Sequence, residues 1–190
     1  MAKFFGNLHL VLVAGLVFAI AVAVYFGAAV SIDHVSVFSW LHVFFGILWI
    51  GLLYYLNFVQ VPTMPAIPAE QKGAITGHIA PKVFFFFRWA ALLTVVTGLV
   101  LSIVKGYGHQ ALTFQGEGQV ALIGLGMWLA LIMAFNVWFI IWPAQKKILG
   151  IVEATAEEKA AAAPRALYAS RTNTLLSLPM LYAMVNANLG

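Results

Sequence analysis

Long apolar segments without acidic residues alternate with short polar segments along the whole chain. An α-helix needs about 20 mostly apolar residues to cross a bilayer. Five segments meet or approach that length, and the last is shorter and contains Pro179: residues 8–30, 37–61, 83–104, 120–142 and 174–189. The pattern predicts an all-α fold, a polytopic membrane helix bundle of four to five transmembrane helices in a single domain over residues 1–190.

Two further features of the sequence refine this prediction. The first apolar segment exceeds the 7 to 15 residues of a signal-peptide core, so we expect it to be retained in the protein. Residues 153–163, EATAEEKAAAA, are rich in good helix formers. We expect them to extend the fourth helix or to form a short cytoplasmic helix.

Composition excludes several classes of protein. Hydrophobic residues make up 63% of the chain and charged residues 8%, which is too few charges for the surface of a soluble enzyme. The chain has no cysteine, which excludes disulfides, thiolate metal sites, iron–sulfur clusters and covalently attached c-type haem. The net charge of +4 is scattered, so nucleic-acid binding is not expected.

Basic residues predict the orientation in the membrane. The segments at 62–82 and 143–173 carry seven of the ten Lys and Arg residues: Lys72, Lys82, Lys146, Lys147, Lys159, Arg165 and Arg171. The positive-inside rule places these segments in the cytoplasm. We therefore expect a multi-pass protein of the bacterial inner membrane, with a cytoplasmic N-terminus and a periplasmic C-terminus.

Histidine is the only strong candidate ligand for a metal or cofactor. Under the predicted topology His34 and His109 lie in outer loops, and His42 lies about five residues into the second helix. These three imidazoles could meet in one layer near the outer face. His9 and His78 lie on the inner side and form a weaker pair.

His42 carries the most information, because a titratable side chain inside a spanning helix suggests function. Gly46 and Trp49 follow on the same helix face and could flank a flat cofactor. Haem b suits a neutral imidazole, with His109 as the first choice and His34 as the second choice for the other axial ligand. Copper held by His42 and His109 is an alternative. A packing histidine bonded to a neighbouring helix is the remaining interpretation.

Other polar residues inside or beside the spans have structural alternatives as well. Arg88 either reaches the cytoplasmic headgroups or neutralises a carboxylate, a haem propionate or an anionic substrate. Asn136 is expected to join helices. Arg171 and Asn173 are expected to cap and anchor the fifth segment.

Four stretches resemble the membrane domain of the urate hydroxylase family, also described as the urate oxidase N-terminal family. They are WLHVFFGILWIG (40–51), FFRWAALLTVVTGLVL (86–101), FNVWFIIWPAQKKIL (135–149) and ASRTNTLLSLPML (169–181). The resemblance implies a membrane oxidoreductase that oxidises urate and passes electrons to a periplasmic cytochrome c. It also supports His42 as a ligand. Longer members of that family end in a cytochrome c domain, so we expect this chain to be a stand-alone form.

A function from a different class remains open. A small, loop-poor membrane protein without buried acids also suits a cofactor-free accessory subunit of a larger respiratory or other membrane complex. A small metal-handling membrane protein that binds copper through the outer histidines and methionines is a third possibility.

Overall fold

The computed structural model describes residues 2–26 and 33–188, and every regular element in those residues is a helix. The all-α prediction is therefore confirmed. Four helices among the described residues are long and apolar enough to cross a membrane: Leu8–Phe26, His34–Ala66, Ala69–Val104 and Gln119–Ile148.

Contacts divide the chain into two compact units, Met1–Val37 and Phe38–Gly190, which are described separately. The first unit contains α1 (Ala2–Phe5) and α2 (Leu8–Phe26). The Asn7 side chain starts α2, since its Oδ1 accepts hydrogen bonds from the backbone N–H groups of His9 and Leu10, at 3.0 and 3.3 Å. The first predicted helix extends to residue 30, but residues 27–30 lie outside the described part of the chain.

The second predicted helix begins earlier than its apolar segment. α3 (His34–Tyr54) starts where Asp33 Oδ1 accepts the Ser36 N–H at 2.8 Å, and Ser36 Oγ accepts the Asp33 N–H at 3.1 Å. This reciprocal cap, rather than hydrophobicity, fixes the first turn. His34 was expected in a loop and is instead the first residue of a helix.

The predicted inner segment at 62–82 is largely helical rather than a loop. α3 continues through a π-helical turn, α4 and a 3-10 turn, and the chain then runs through α5 and a second π-helical turn into α6. Their bounds are Tyr55–Gln60, Val61–Thr63, Met64–Ala66, Ala69–Ala74, Ile75–Ile79 and Ala80–Val104. Extended backbone at Ile67 and Pro68 separates the two halves. Pro62, Pro65 and Pro81 lie in the first two residues of helical turns, where a missing N–H is tolerated.

The rest of the second unit is a further helical run and a long final helix. The elements are α7 (Gly108–Leu112), α8 (Gln119–Phe135), a third π-helical turn (Asn136–Ile141), α9 (Trp142–Ile148) and α10 (Ala156–Asn186). α8, the π-helical turn and α9 form one continuous run that contains the predicted segment 120–142. Gly150, with a φ of +71°, follows the end of this run.

The expectation for residues 153–163 is wrong. This sequence neither extends the fourth helix nor forms a separate short helix, because most of it is the start of α10. Thr155 and Glu158 form a capping box: Thr155 Oγ1 accepts the Glu158 N–H at 3.1 Å, and Glu158 Oε2 accepts the Thr155 N–H at 2.9 Å. The cap begins α10 well before the apolar segment at 174.

α10 runs between the two ends of the second unit. Near its start Glu158 pairs with Lys147, which belongs to α9. Just beyond its last residue Asn188 accepts a hydrogen bond from Lys105, the residue that follows α6. α10 is not one of the four apolar spans, since its first half is polar, so a fifth crossing stays a prediction.

The core of the second unit lies where α3, α6, α8 and α10 face each other. Its largest fully buried apolar side chains are Trp49, Leu53, Phe87 and Met133. Glycine permits close contact elsewhere in the unit. A Cβ added at Gly124 would lie 2.5 Å from the carbonyl oxygen of Ala111, which belongs to α7. Gly124 therefore allows α8 to pack closely against α7.

Candidate functional site

His42 is held between α3 and α6 by a specific hydrogen bond. Its Nδ1 lies 2.9 Å from the carbonyl oxygen of Thr94. A carbonyl oxygen can only accept, so Nδ1 carries the proton and Nε2 is the nitrogen with a free lone pair. Both hydrogen-bonding contacts of His42 within the described residues use Nδ1, the second being Thr97 Oγ1 at 3.4 Å. His42 is the ninth residue of α3, about 12 Å from the helix start, deeper than the five residues expected.

The α6 surface that receives His42 consists of Thr94, Thr97 and Gly98. Each threonine hydroxyl donates to a carbonyl of its own helix, to Ala90 at 2.7 Å and to Leu93 at 2.6 Å respectively. The hydroxyls are therefore satisfied inside an apolar helix pair.

Gly98 makes room for the imidazole ring. A Cβ at this position would lie 2.6 Å from His42 Cε1 and 3.0 Å from Nδ1. Such distances are below van der Waals contact, so any larger residue at position 98 has to displace the ring. Gly98 therefore determines where the imidazole can lie.

The two residues expected to flank a cofactor have other neighbours. Gly46 faces α6, since a Cβ there would lie 3.9 Å from Thr94 Cγ2. Trp49 is fully buried in the core, and its Nε1 has no hydrogen-bond partner among the described residues. Both residues therefore contribute to packing of the helices around His42.

The other histidines are exposed, and within the second unit neither His78 nor His109 shares a hydrogen bond or a metal-binding group with His42. His109 lies in α7, His34 begins α3 in the N-terminal unit, and His9 and His78 lie in α2 and in the second π-helical turn. No group of three or more His, Asp or Glu side chains suited to a metal ion occurs in residues 2–26 and 33–188. His42 fits a single axial ligand to haem, because its hydrogen bond fixes the tautomer and ring orientation. The second ligand stays a prediction.

A cleft of about 340 Å³ opens at the end of the unit where α6 finishes. Its lining includes Lys105, Tyr107, Gln119 and Asn188. Lys105 lies seven residues beyond Gly98, about 10 Å along the helix axis. Burial raises the pKa of the Tyr107 phenol above its ordinary value. A cation, a phenol and two amides suit a small polar anion.

A second polar cluster lies between α10 and the π-helical turn that follows α8. Asn136 Nδ2 donates to Asn173 Oδ1 at 2.9 Å, and Asn173 Nδ2 donates to the Met133 carbonyl at 2.9 Å. Both side chains are buried. Asn136 therefore joins two helices as predicted. The expectation that Asn173 caps a helix is wrong, since it lies in the middle of α10, while Arg171 is exposed on the same helix.

Arg88 faces aromatic rings and has no carboxylate partner among the described residues. Its guanidinium carbon lies 3.9 Å from the centroid of the Trp142 ring and 5.3 Å from that of Phe85. The Arg88 carbonyl accepts a hydrogen bond from Trp138 Nε1 at 3.0 Å.

Sequence reasoning missed the partners of His42 and one further buried polar residue. Asn57, 1% exposed, donates to the Leu53 carbonyl and to Ser170 Oγ at 2.9 and 2.8 Å. The TVVTG sequence at 94–98 was a usable signal, since two threonines and a glycine at three- and four-residue spacings share one helix face. Nothing in the sequence paired that face with His42.

The fold and these contacts define an integral membrane helix bundle with an intramembrane histidine fixed against a neighbouring helix. A family model described as urate oxidase N-terminal matches residues 110–190, less than half of the chain. The predicted resemblance is therefore confirmed for this part, which contains the stretches at 135–149 and 169–181. The chain is thus similar to the urate oxidase N-terminal family over α8, α9 and α10. No curated protein and no solved structure matches the chain.

Proposed function

We propose that this protein is a membrane redox protein related to the urate hydroxylase membrane domain, in which His42 holds haem b through Nε2. When bound, haem supplies reversible one-electron transfer. Electrons leave on the outer side to a periplasmic cytochrome c, and an anionic substrate such as urate enters the cleft beside Lys105. The outer-side histidines His109 and His34 are the candidates for the second axial ligand.

One observation carries the proposal: the hydrogen bond from His42 Nδ1 to the Thr94 carbonyl. Histidine ligands of metals commonly donate their other ring N–H to a carbonyl or carboxylate, which fixes the tautomer and presents the ligating nitrogen. The match of residues 110–190 to the urate oxidase N-terminal family supports an oxidoreductase setting. Lys105 directly follows α6, the helix that also bonds His42, and this supports a link between the cleft and the proposed haem site.

The proposal is tested by a dithionite-reduced minus oxidised visible spectrum of the protein purified in detergent from cells supplied with haem. We expect a sharp b-type α band in the wild type and its loss in His42→Ala. His78→Ala is the matched control, because it removes an exposed imidazole, and it should keep the band. A folded His42→Ala protein with full haem content would refute the ligand assignment.

A second pair of variants separates positioning from packing. Gly98→Ala places a methyl group against the His42 ring, whereas Gly51→Ala has no atom within 4 Å of the new Cβ. If His42 ligates haem, Gly98→Ala lowers the haem content or shifts the reduction potential, and Gly51→Ala leaves both unchanged. Metal analysis of the same samples tests the copper alternative: copper bound in place of haem, and lost in His42→Ala, assigns the site to copper.

The same hydrogen bond also favours the accessory-subunit alternative, if its role is to pack α3 against α6. The Thr94 carbonyl satisfies His42 Nδ1, and Gly98 accommodates the ring, so His42 could serve only to join α3 and α6. In that case the purified protein is colourless and co-purifies in fixed ratio with a larger membrane complex. His42→Ala then lowers thermal stability without any spectral change.

A further inference from the structure

Two cationic side chains from different helices lie against the Trp142 indole. Arg88 of α6 has its guanidinium carbon 3.9 Å from the ring centroid, and Lys146 of α9 has its Nζ at 6.0 Å. The first distance is well inside the range of a cation–π contact, and the second is at its limit. Trp142 thus brings two positive charges to one place.

These charges have no acidic neighbour in the described part of the chain. The ion pair within residues 2–26 and 33–188 joins Lys147 and Glu158 and involves neither Arg88 nor Lys146. A charge this close to the apolar layer of a membrane is costly unless it is compensated. An anion that the described residues do not provide would compensate these charges.

The surroundings of Arg88 indicate what kind of anion this is. Phe85, Phe86 and Trp89 are 46%, 54% and 41% exposed, so an apolar surface adjoins the charges. α6 has 25 residues and is about 37 Å long, which exceeds the hydrocarbon thickness of about 30 Å. Arg88 is the ninth residue of α6, about 12 Å from its start, and its long side chain can extend back to the headgroup layer, where a phosphate lies next to acyl chains.

We propose that Arg88, Trp142 and Lys146 bind the phosphate of an anionic phospholipid, whose acyl chains lie along Phe85 and Trp89. The planar guanidinium can donate two parallel hydrogen bonds to phosphate oxygens. The second cation favours a headgroup with net negative charge over a zwitterionic one. A free phosphate ion offers the same charge but has no acyl chains to occupy the aromatic surface.

The test uses the full chain, purified and delipidated in detergent, with thermal unfolding followed during titration. The probes are phosphatidylglycerol, phosphatidylcholine with the same acyl chains, and inorganic phosphate. We expect stabilisation by phosphatidylglycerol well above that by phosphatidylcholine or phosphate. Arg88→Gln and Lys146→Gln should each weaken the apparent affinity for phosphatidylglycerol about fivefold. Lys159→Gln, which removes an exposed cation at the start of α10, should leave it unchanged.

Three results would overturn the proposal. Equal stabilisation by both lipids, with no effect of Arg88→Gln, means that the site does not select charge. Equal stabilisation by inorganic phosphate and phosphatidylglycerol assigns the site to a free anion. If Arg88→Gln does not fold, Arg88→Lys and Lys146→Gln are compared by the number of phosphatidylglycerol molecules retained in native mass spectrometry, and unchanged retention in both rejects the lipid site.

Discussion

Single polar side chains in the second unit hold specific pairs of helices together. His42 and Asn173 each use a side-chain N–H to reach a backbone carbonyl of another helix, Thr94 and Met133 respectively. In a bilayer interior water is not available to replace such bonds, so an unpaired donor or acceptor there is costly. These residues therefore fix how their helices are aligned.

Asn173→Ala tests the contribution of such polar contacts to stability, because Asn173 makes two hydrogen bonds to another helical segment. The substitution removes both interhelical hydrogen bonds and leaves Asn136 Nδ2 without its partner, whereas the Met133 carbonyl keeps the Asn136 backbone N–H. We therefore expect a loss of about 1 to 3 kcal/mol in the free energy of unfolding. This loss is measured by unfolding the detergent-solubilised protein with increasing concentrations of dodecyl sulfate. Asn186→Ala is the control, because Asn186 donates only to the Tyr182 carbonyl of its own helix.

A double-mutant cycle with Asn136→Ala isolates the side-chain pair. A coupling energy of about 0.6 to 1.7 kcal/mol is expected for a hydrogen bond between membrane helices. A loss in Asn173→Ala no larger than in Asn186→Ala would mean that the buried pair does not stabilise the bundle.

Hydropathy predicted the membrane helices but not all of their ends. The apolar cores of the four spans are set by bilayer thickness, which the sequence expresses directly. The starts of α3 and α10 are set by side-chain caps at Asp33 and Thr155, in polar sequence that a hydropathy argument treats as loop.

His42 was identifiable because a titratable residue stands out in an apolar helix. Its partners Thr94 and Gly98 were not, since they depend on how α3 is aligned with α6.

At the scale of elements, the start of α10 carries a pH-dependent contact. The Lys147 side chain and, to a smaller extent, the Thr155 backbone N–H donate hydrogen bonds to the Glu158 carboxylate. These bonds hold the pKa of that carboxyl below its ordinary value. A carboxyl whose pKa is lowered on folding stabilises the folded state above its unfolded pKa. That contribution is lost as pH falls through the folded pKa.

We therefore expect Glu158→Gln to reduce thermal stability at pH 7 and to remove part of the stability loss that the wild type shows on acidification below about pH 4.5. Melting temperatures between pH 7 and pH 3 measure this. Glu157→Gln removes the neighbouring charge and should leave the acid dependence in place. Thr155→Ala, which removes the other half of the capping box, should lower the free energy of unfolding by about 1 kcal/mol at every pH. Parallel pH profiles for wild type and Glu158→Gln would contradict the assignment.

At the scale of the whole molecule, the family match and the helix contacts concern the same part of the chain. Residues 110–190 contain α8, α9 and α10, which pack along one another, and the buried Asn136 and Asn173 pair lies between them. His42 and its α6 neighbours lie outside the matched residues. The related part is therefore the helical framework, and the proposed redox centre is a separate hypothesis that rests on His42 geometry.

The orientation of this framework in the membrane gives the last prediction. Lys147 and Glu158 pair at one end of α10, and Lys105 and Asn188 at the other, so α10 runs the same length as the apolar helices beside it. The positive-inside rule predicts that the end with Lys146 and Lys147 is cytoplasmic. We then expect the end with Asn188 to be periplasmic, although within residues 2–26 and 33–188 only four helices are apolar enough to span by composition.

The absence of cysteine allows a direct measurement of this topology. Single-cysteine variants at Gln115, Glu153 and Asn188 are treated with a membrane-impermeant maleimide in intact spheroplasts and after permeabilisation. We expect Gln115→Cys and Asn188→Cys to react in intact spheroplasts, and Glu153→Cys only after permeabilisation, because α8 with α9 and then α10 each cross the bilayer between these positions. Labelling of Glu153 and Asn188 on the same side would mean that α10 does not cross. The cleft beside Lys105 would then lack the C-terminal end of α10 as a wall on the periplasmic side, and the proposed entry of substrate from that side would fail with it.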